Sequence, residues 1–265
     1  MRLFESWHSG PKIWLIGGTS ESIVLAEQIQ NSRIPLVITV TTEAACQNYR
    51  QAPETWVQQV RFETDETLRY WLRQGNITGI LDASHPFAVE ISKRAIRVAQ
   101  RQETPYLRYE RASVTAVSSA HVSVLKPDLS EVSRETLLGH RILLTVGSHS
   151  LVNFASWHAF ADLFARILPS ETALKLAFQA GFHRDRLIAL QPPVSFELEQ
   201  ALWRHWQISL VITKASGPAG GEETKRRVAQ SLQVPLWVIQ RPPIDYPWQT
   251  QSIKTVMHFA RRVTA

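Results

Sequence analysis

Short apolar runs, several of them rich in β-branched residues, alternate along most of the chain with stretches in which apolar positions recur every three or four residues. The first kind predicts buried strands and the second predicts helices with one apolar side. Strands are predicted at Lys12–Ile16, Pro35–Val40, Val57–Phe62, Gly79–Asp82 and Pro105–Tyr109. Helices are predicted between them at Glu21–Gln30, Thr67–Gln74 and Val89–Gln102. In the second of these, Leu68, Trp71 and Leu72 share one side. From Ala112 to about His140 the rhythm breaks into a mixed, polar stretch that reads as a connection. It then restarts, with strands predicted at Arg141–Val146, Leu163–Leu168, Leu187–Leu190, Ser209–Thr213 and Pro235–Ile239. The matching helices are Leu151–Phe160, Thr172–Ala180, Phe196–Trp206 and Glu222–Gln233. A last helix is predicted at Ser252–Val263, with neither half claiming it. Strands and helices joined this closely imply parallel sheets with helices on both faces. The fold class is α/β, with two similar lobes.

Composition narrows the class. The chain has 265 residues, 44% hydrophobic and 20% charged, which suits folded lobes with real cores and excludes disorder as the main state. Cys46 is the single cysteine, so neither a disulfide framework nor a cysteine-rich metal site can form. No apolar run reaches the roughly 18 residues of a membrane helix. The opening residues, MRLFESWHSGPK, lack the apolar core of a leader, so a cytoplasmic protein is expected. The nine histidines are dispersed, and no His-Glu-x-x-His, Gly-x-Ser-x-Gly or P-loop motif occurs, so no metal is expected. The net charge of +6 comes from scattered Lys and Arg rather than a stripe. Nucleic acid and membrane are therefore not expected partners, and some cations are left to meet an anionic ligand.

In open α/β sheets ligands sit beyond the carboxyl ends of the strands, so the chemistry is sought there. Gly17-Gly18-Thr19-Ser20-Glu21 joins the first strand to the first helix. Glycine lets backbone approach a phosphate, and a helix N-terminus favours an anion; the other reading is a tight turn with a Ser/Thr cap. After the second strand come Thr41, Thr42 and Glu43 with no cation before Arg50, which leans toward a free ribose 2′-hydroxyl, or a phosphate contact from elsewhere, if a nucleotide lies there. Asp82-Ala83-Ser84-His85-Pro86-Phe87 follows the fourth strand. Pro86 holds His85 extended, where it can give a hydrogen bond or a proton; the other reading is a capping turn. Arg108 and Arg111 suit carboxylate or phosphate, unless Arg108 pairs with Glu110 or Glu103. Gly147-Ser148 and Lys214-Ala215-Ser216-Gly217 occupy the equivalent ends in the second lobe.

This set of segments resembles the precorrin-6A reductases of corrin biosynthesis, including the cobalt-precorrin-6A reductases of the anaerobic route. The family's Gly-Gly-Thr-x-Glu is matched by Gly17–Glu21. Its Asp-Ala-Thr-His-Pro-Phe-Ala is matched by Asp82–Ala88, with Ser84 for Thr, followed by Ile91-Ser92. Its Tyr-Leu-Arg-x-Glu-Arg-Pro is matched by Tyr106–Arg111, with Ala112 for Pro. Thr145–Ser148 matches Thr-x-Gly-Arg with Ser148 for Arg, and Thr213–Gly217 matches Thr-Lys-Asn-Ser-Gly with Ala215 for Asn. Lys225 and Pro235–Pro242 fit the family's last segments.

The resemblance implies two Rossmann-like lobes with a ligand cleft between them: residues 1–113 binding the dinucleotide, 114–140 connecting, 141–248 forming the second lobe and 249–265 the unassigned C-terminal helix. It implies reduction of precorrin-6A or its cobalt form to the 6B form by NADPH or NADH. The cofactor would touch Gly17, Gly18, Thr19, Ser20, Glu21, Thr41, Glu43, Ser84 and Pro86. The polycarboxylate tetrapyrrole would touch Phe87, Arg108, Arg111, Gly147, Ser148, Ser216 and Arg241. His85 and Lys214 are the proton-donor candidates. A monomer or weak homodimer is expected. Two other readings stay open: a two-lobe α/β methyltransferase on a related precursor, and a non-catalytic nucleotide-sensing module.

Overall fold

A computed structural model describes residues 10–110, 122–130 and 132–265. The chain divides into two compact units, Met1–Ala112 with Pro242–Ala265, and Ser113–Arg241.

The first unit is built on β1 (Lys12–Ile16), β2 (Leu36–Val40), β3 (Thr55–Gln59), β4 (Ile77–Asp82), β5 (Tyr106–Tyr109) and β12 (Gln249–Thr250), in the order β3-β2-β1-β4-β5-β12. The second contains β6 (Val122–Leu125), β7 (Arg141–Thr145), β8 (Asp162–Ile167), β9 (Leu187–Ala189), β10 (Leu210–Lys214) and β11 (Leu236–Ile239), in the order β9-β8-β7-β10-β11-β6. Every strand pairing among the described residues is parallel. Both sheets are doubly wound. The order reverses between β1 and β4 in one and between β7 and β10 in the other, which marks where a ligand fits. β1 and β2 are buried along their whole length, as the continuous apolar runs require.

The helices of the first unit are α1 (Ser20–Asn31), α2 (Glu43–Cys46), α3 (Asp65–Gln74), α4 (Val89–Gln102) and α8 (Ile253–Thr264). α1 and α3 begin with capping boxes, Thr19 with Ser22 and Thr64 with Thr67. The second unit carries α5 (Glu171–Gln179), α6 (Phe196–His205) and α7 (Glu222–Leu232).

Three expectations change, and the C-terminal helix finds its unit. The expected connection contributes a strand, because β6 pairs with β11 at the sheet edge. The C-terminal helix belongs to the first unit: α8 buries Val256, Phe259 and Ala260 in that core. It lies so close to β4 that a Cβ on Gly79 would stand 2.5 Å from Val263 Cγ2. Residues 242–248, expected in the second lobe, return to the first unit too, and β12 follows them to pair with β5. The helix expected at Leu151–Phe160 is a 3-10 segment, Ser148–Ala159. Its Ser, His, Val, Asn, Phe and Trp residues all have modest α-helix propensity.

Candidate active site

The turn after β1 is held from several directions. Thr19 Oγ1 accepts from Ser22 N–H at 3.1 Å, capping α1, and donates to the Ala83 carbonyl at 2.8 Å. That second bond ties the turn to the end of β4 across the switch point. Thr19 is buried, so it is a cap and tether rather than an exposed phosphate ligand. Ser20 is exposed, with its hydroxyl 3.2 Å from Glu21 Oε2. Gly18 adopts φ +99°, and nothing lies within 4 Å of where its Cβ would be. The space that a side chain would take over the turn is therefore open, and the N-terminus of the 12-residue α1 adds a favourable field for an anion. The residues present thus fit the pyrophosphate of a dinucleotide. At the neighbouring strand end Thr42 caps α2 by accepting from Ala45 N–H at 3.3 Å, and Thr41 and Glu43 are exposed beside it.

The end of β4 carries a dense polar network. Asp82 is completely buried. Its Oδ1 accepts from Ser84 N–H at 2.9 Å and Arg108 Nη1 at 2.8 Å; its Oδ2 accepts from the Ser92 and Tyr106 hydroxyls, each at 2.6 Å. Burial alone would push this carboxyl up, but Arg108 and these donors reverse that and hold it below the usual carboxylate value. Burial and the adjacent carboxylate push the Tyr106 phenol far up, so it remains a donor.

Arg108 corrects the sequence expectation. Its side chain is 1% exposed and turns inward to Asp82, with Nε donating to Glu110 Oε2 at 2.8 Å and Nη1 3.2 Å from Ser84 Oγ. Its guanidinium also stands 5.1 Å from the centre of the Tyr246 ring. It braces the Asp82–Ser84 turn and does not present a fork for a substrate carboxylate. Arg111 lies outside the described residues.

On that brace sit Ser84 and Pro86, both buried, the exposed His85, and the half-buried Phe87. Phe87 N–H donates to His85 Nδ1 at 3.2 Å, so in the neutral ring the hydrogen is on Nε2. The His85 carbonyl accepts from Ala88 N–H at 2.7 Å, which closes the turn before α4. Both readings of this segment therefore hold: it is a turn that starts a helix, and it displays a histidine.

The second unit brings Lys214 and the 3-10 segment together at its own switch point, with Lys214 Nζ donating to Ser150 Oγ at 2.7 Å. Burial lowers the Lys214 ammonium to about 8. Gly147, at φ +81°, is exposed and Ser148 is half-buried at the start of that segment. Ser216 is buried, with its N–H on the Lys214 carbonyl at 2.7 Å. Arg241 Nε donates to the Ala215 carbonyl at 2.9 Å. The glycine-rich turn that follows is closed by the chain itself. Gly217 N–H donates to Glu222 Oε2 at 3.0 Å, and Lys225 Nζ donates to the Gly220 carbonyl at 2.8 Å. A resident carboxylate thus fills the anion position before α7, whereas the turn before α1 keeps its space open.

Spacing alone gave no sign of Tyr49, whose hydroxyl accepts from Gly18 N–H at 2.7 Å, or of Tyr246 over Arg108. Ser92 was visible only through the family pattern.

Fold and site together define a doubly wound α/β protein whose first unit carries a dinucleotide-type turn. The family profile described as "Precorrin-6x reductase CbiJ/CobK" matches residues 12–261. The chain belongs to this family: it is an oxidoreductase of cobalamin biosynthesis, of the NAD(P)H-dependent kind that acts on a CH–CH bond. It is 40% identical over 254 residues to the cobalt-precorrin-6A reductase of Synechocystis sp., covering 94% of this chain and 96% of the relative. It is 33% identical to that of Priestia megaterium, covering 93% and 96%. A solved structure of CobK precorrin-6A reductase superposes with a TM-score of 0.75 at 20% identity, covering 96% of this chain and 98% of that one, and shows the same fold. No helix among the described residues is long and apolar enough to cross a membrane.

Proposed function

We propose that this chain reduces cobalt-precorrin-6A to its 6B form with NADH. The observation that carries the reading is the open turn at Gly18, tethered by Thr19 to the His85 segment across the first switch point. The cobalt form is favoured by the names of the relatives at 40% and 33% identity. NADH is favoured by Glu43, a carboxylate beyond β2 where a 2′-phosphate would need a cation.

The nicotinamide, when bound, supplies a hydride to one carbon of the double bond that becomes CH–CH. Ser20 and the N-terminus of α1 would hold the pyrophosphate in the space above Gly18, with Gly17 beneath the turn, and Thr41 and Glu43 would receive the ribose. Ser84 and Pro86 shape the wall next to it. The second carbon needs a proton. His85 gives it from Nε2 as the imidazolium, with Phe87 N–H released from Nδ1, and regains it from water, being exposed. In the second unit, Lys214, Ser148, Ser216, Gly147 and Arg241 suit carboxylate groups such as acetate and propionate. The substrate is a polyanion, so the cations act by orientation and the reaction gains mainly from placement.

Oxidation of NADH and NADPH is followed with cobalt-precorrin-6A and with metal-free precorrin-6A. The expected result is turnover with the cobalt form at lower KM for NADH than for NADPH, and a fall in kcat of about a hundredfold in His85→Ala. Failure to turn over either tetrapyrrole would sink the reading. A preference for NADPH would remove Glu43 from it.

A further inference from the structure

Tyr49 lies beyond α2, with its ring in the core of the first unit and its hydroxyl at the turn between β1 and α1. Gly18 N–H donates to Oη at 2.7 Å, and Ser22 Oγ stands 2.6 Å from the same atom. The hydrogens can be assigned by counting. Ser22 Oγ has one hydrogen, which goes to the Thr19 carbonyl at 2.6 Å, and it accepts from Thr19 N–H at 3.0 Å. The contact with Tyr49 is therefore donated by the phenol. Oη accepts from Gly18 and donates to Ser22, so one oxygen links both sides of the turn. Burial pushes the phenol up, which keeps that hydrogen in place.

The adjoining glycine is fitted to the same atom. A Cβ on Gly17 would stand 2.4 Å from Tyr49 Oη and 3.2 Å from Ile38 Cγ2. Gly17 is thus glycine because Tyr49 occupies its side-chain space, whereas Gly18 is glycine for its φ and for the space above it. Tyr49 is also anchored to the next strand end. Its N–H donates to the carbonyl of Cys46, the last residue of α2, whose first residue is Glu43.

We propose that Tyr49 is a positioning residue for the nicotinamide dinucleotide: its hydroxyl sets the Gly17–Ser22 turn and fixes it against the segment that carries Glu43. The phosphate and ribose ends are thereby held at one spacing before the cofactor arrives. The proposal rests on the cofactor lying on that turn.

Tyr49→Phe removes one oxygen and leaves the ring in the core. The expected result is a rise of about tenfold in the Kd for NADH, read from nucleotide fluorescence, with an equal rise in its KM. The kcat at saturating NADH and the KM for the tetrapyrrole stay within about twofold. Gly17→Ala, which crowds Oη, reproduces the rise, and the two effects do not add in the double variant. A lower melting temperature with unchanged Kd would make Tyr49 merely structural and overturn the proposal. A fall in Kd would also overturn it, because Oη would then be competing with phosphate for Gly18 N–H. Gly18→Ala, with its fold checked by circular dichroism, separates this from the cofactor placement. If it weakens NADH and Tyr49→Phe does not, the positioning role alone fails. If it leaves NADH binding unchanged, the placement fails and the proposal with it.

Discussion

Asp82 and Arg108 show how a single pair decides the shape of a site. A buried carboxylate is tolerable only with donors around it, and here four groups supply them: Arg108, Ser84, Ser92 and Tyr106. Removing the cation leaves a buried charge without its main partner, which costs far more than the pair contributes net. Arg108→Met is therefore expected to destabilise the protein by about 3–5 kcal/mol in urea unfolding, and Arg108→Lys to recover little of that. A surface arginine waiting for substrate would cost under about 1 kcal/mol, and that outcome would return Arg108 to the substrate. The sequence marked both residues as strand-end candidates, since each closes an apolar run. It could not show which way Arg108 turns, because the choice depends on Tyr246 and Glu110 as well as on a carboxylate 26 residues away.

At the level of elements, two glycine-containing turns that look alike in sequence differ in what accepts from them: a neutral hydroxyl, Tyr49 Oη, at Gly18 N–H and a carboxylate, Glu222 Oε2, at Gly217 N–H. The turn before α1 is braced from behind and open in front. The turn before α7 is filled by α7's own Glu222 and closed by Lys225. Lys225 is 2% exposed, and its ammonium is lowered from the ordinary 10.5 to about 8, chiefly by burial. Below pH 8 folded and unfolded chains both carry the proton, so the burial cost is felt in full. Between about 8 and 10.5 the unfolded chain binds more protons than the folded one, and stability rises with pH. The urea midpoint is accordingly expected to rise over that interval less steeply in Lys225→Met than in the parent chain. Equal slopes would show that Lys225 keeps an ordinary pKa. Element boundaries were mostly legible, since β1 and α4 fall where periodicity put them. β12 and α2 were not, because two and four residues show no period, and β6 was not, because its edge strand is largely exposed and lies within a polar stretch.

Across the whole molecule, two doubly wound sheets each offer a switch point, and the proposed cofactor position uses the first. A ligand that binds only the folded state stabilises what it touches, by about 2.7 kcal/mol at a hundred times its Kd. NADH is expected to slow amide exchange over residues 17–22, 39–49 and 82–88, and to leave 145–150 and 214–222 unchanged without tetrapyrrole. Protection confined to the second set would move the cofactor to the other unit. Sequence by itself determined the alternation of strands and helices, the turns at the strand ends and the family, because each is written in neighbouring residues. Only the tertiary structure decided that β12 completes the first sheet and α8 packs on it, that β6 completes the second, that Arg108 faces inward and that Tyr49 holds the Gly18 turn. An apolar helix face or an open strand edge fits more than one sheet, and a hydrogen bond between residues 31 apart leaves no period to read.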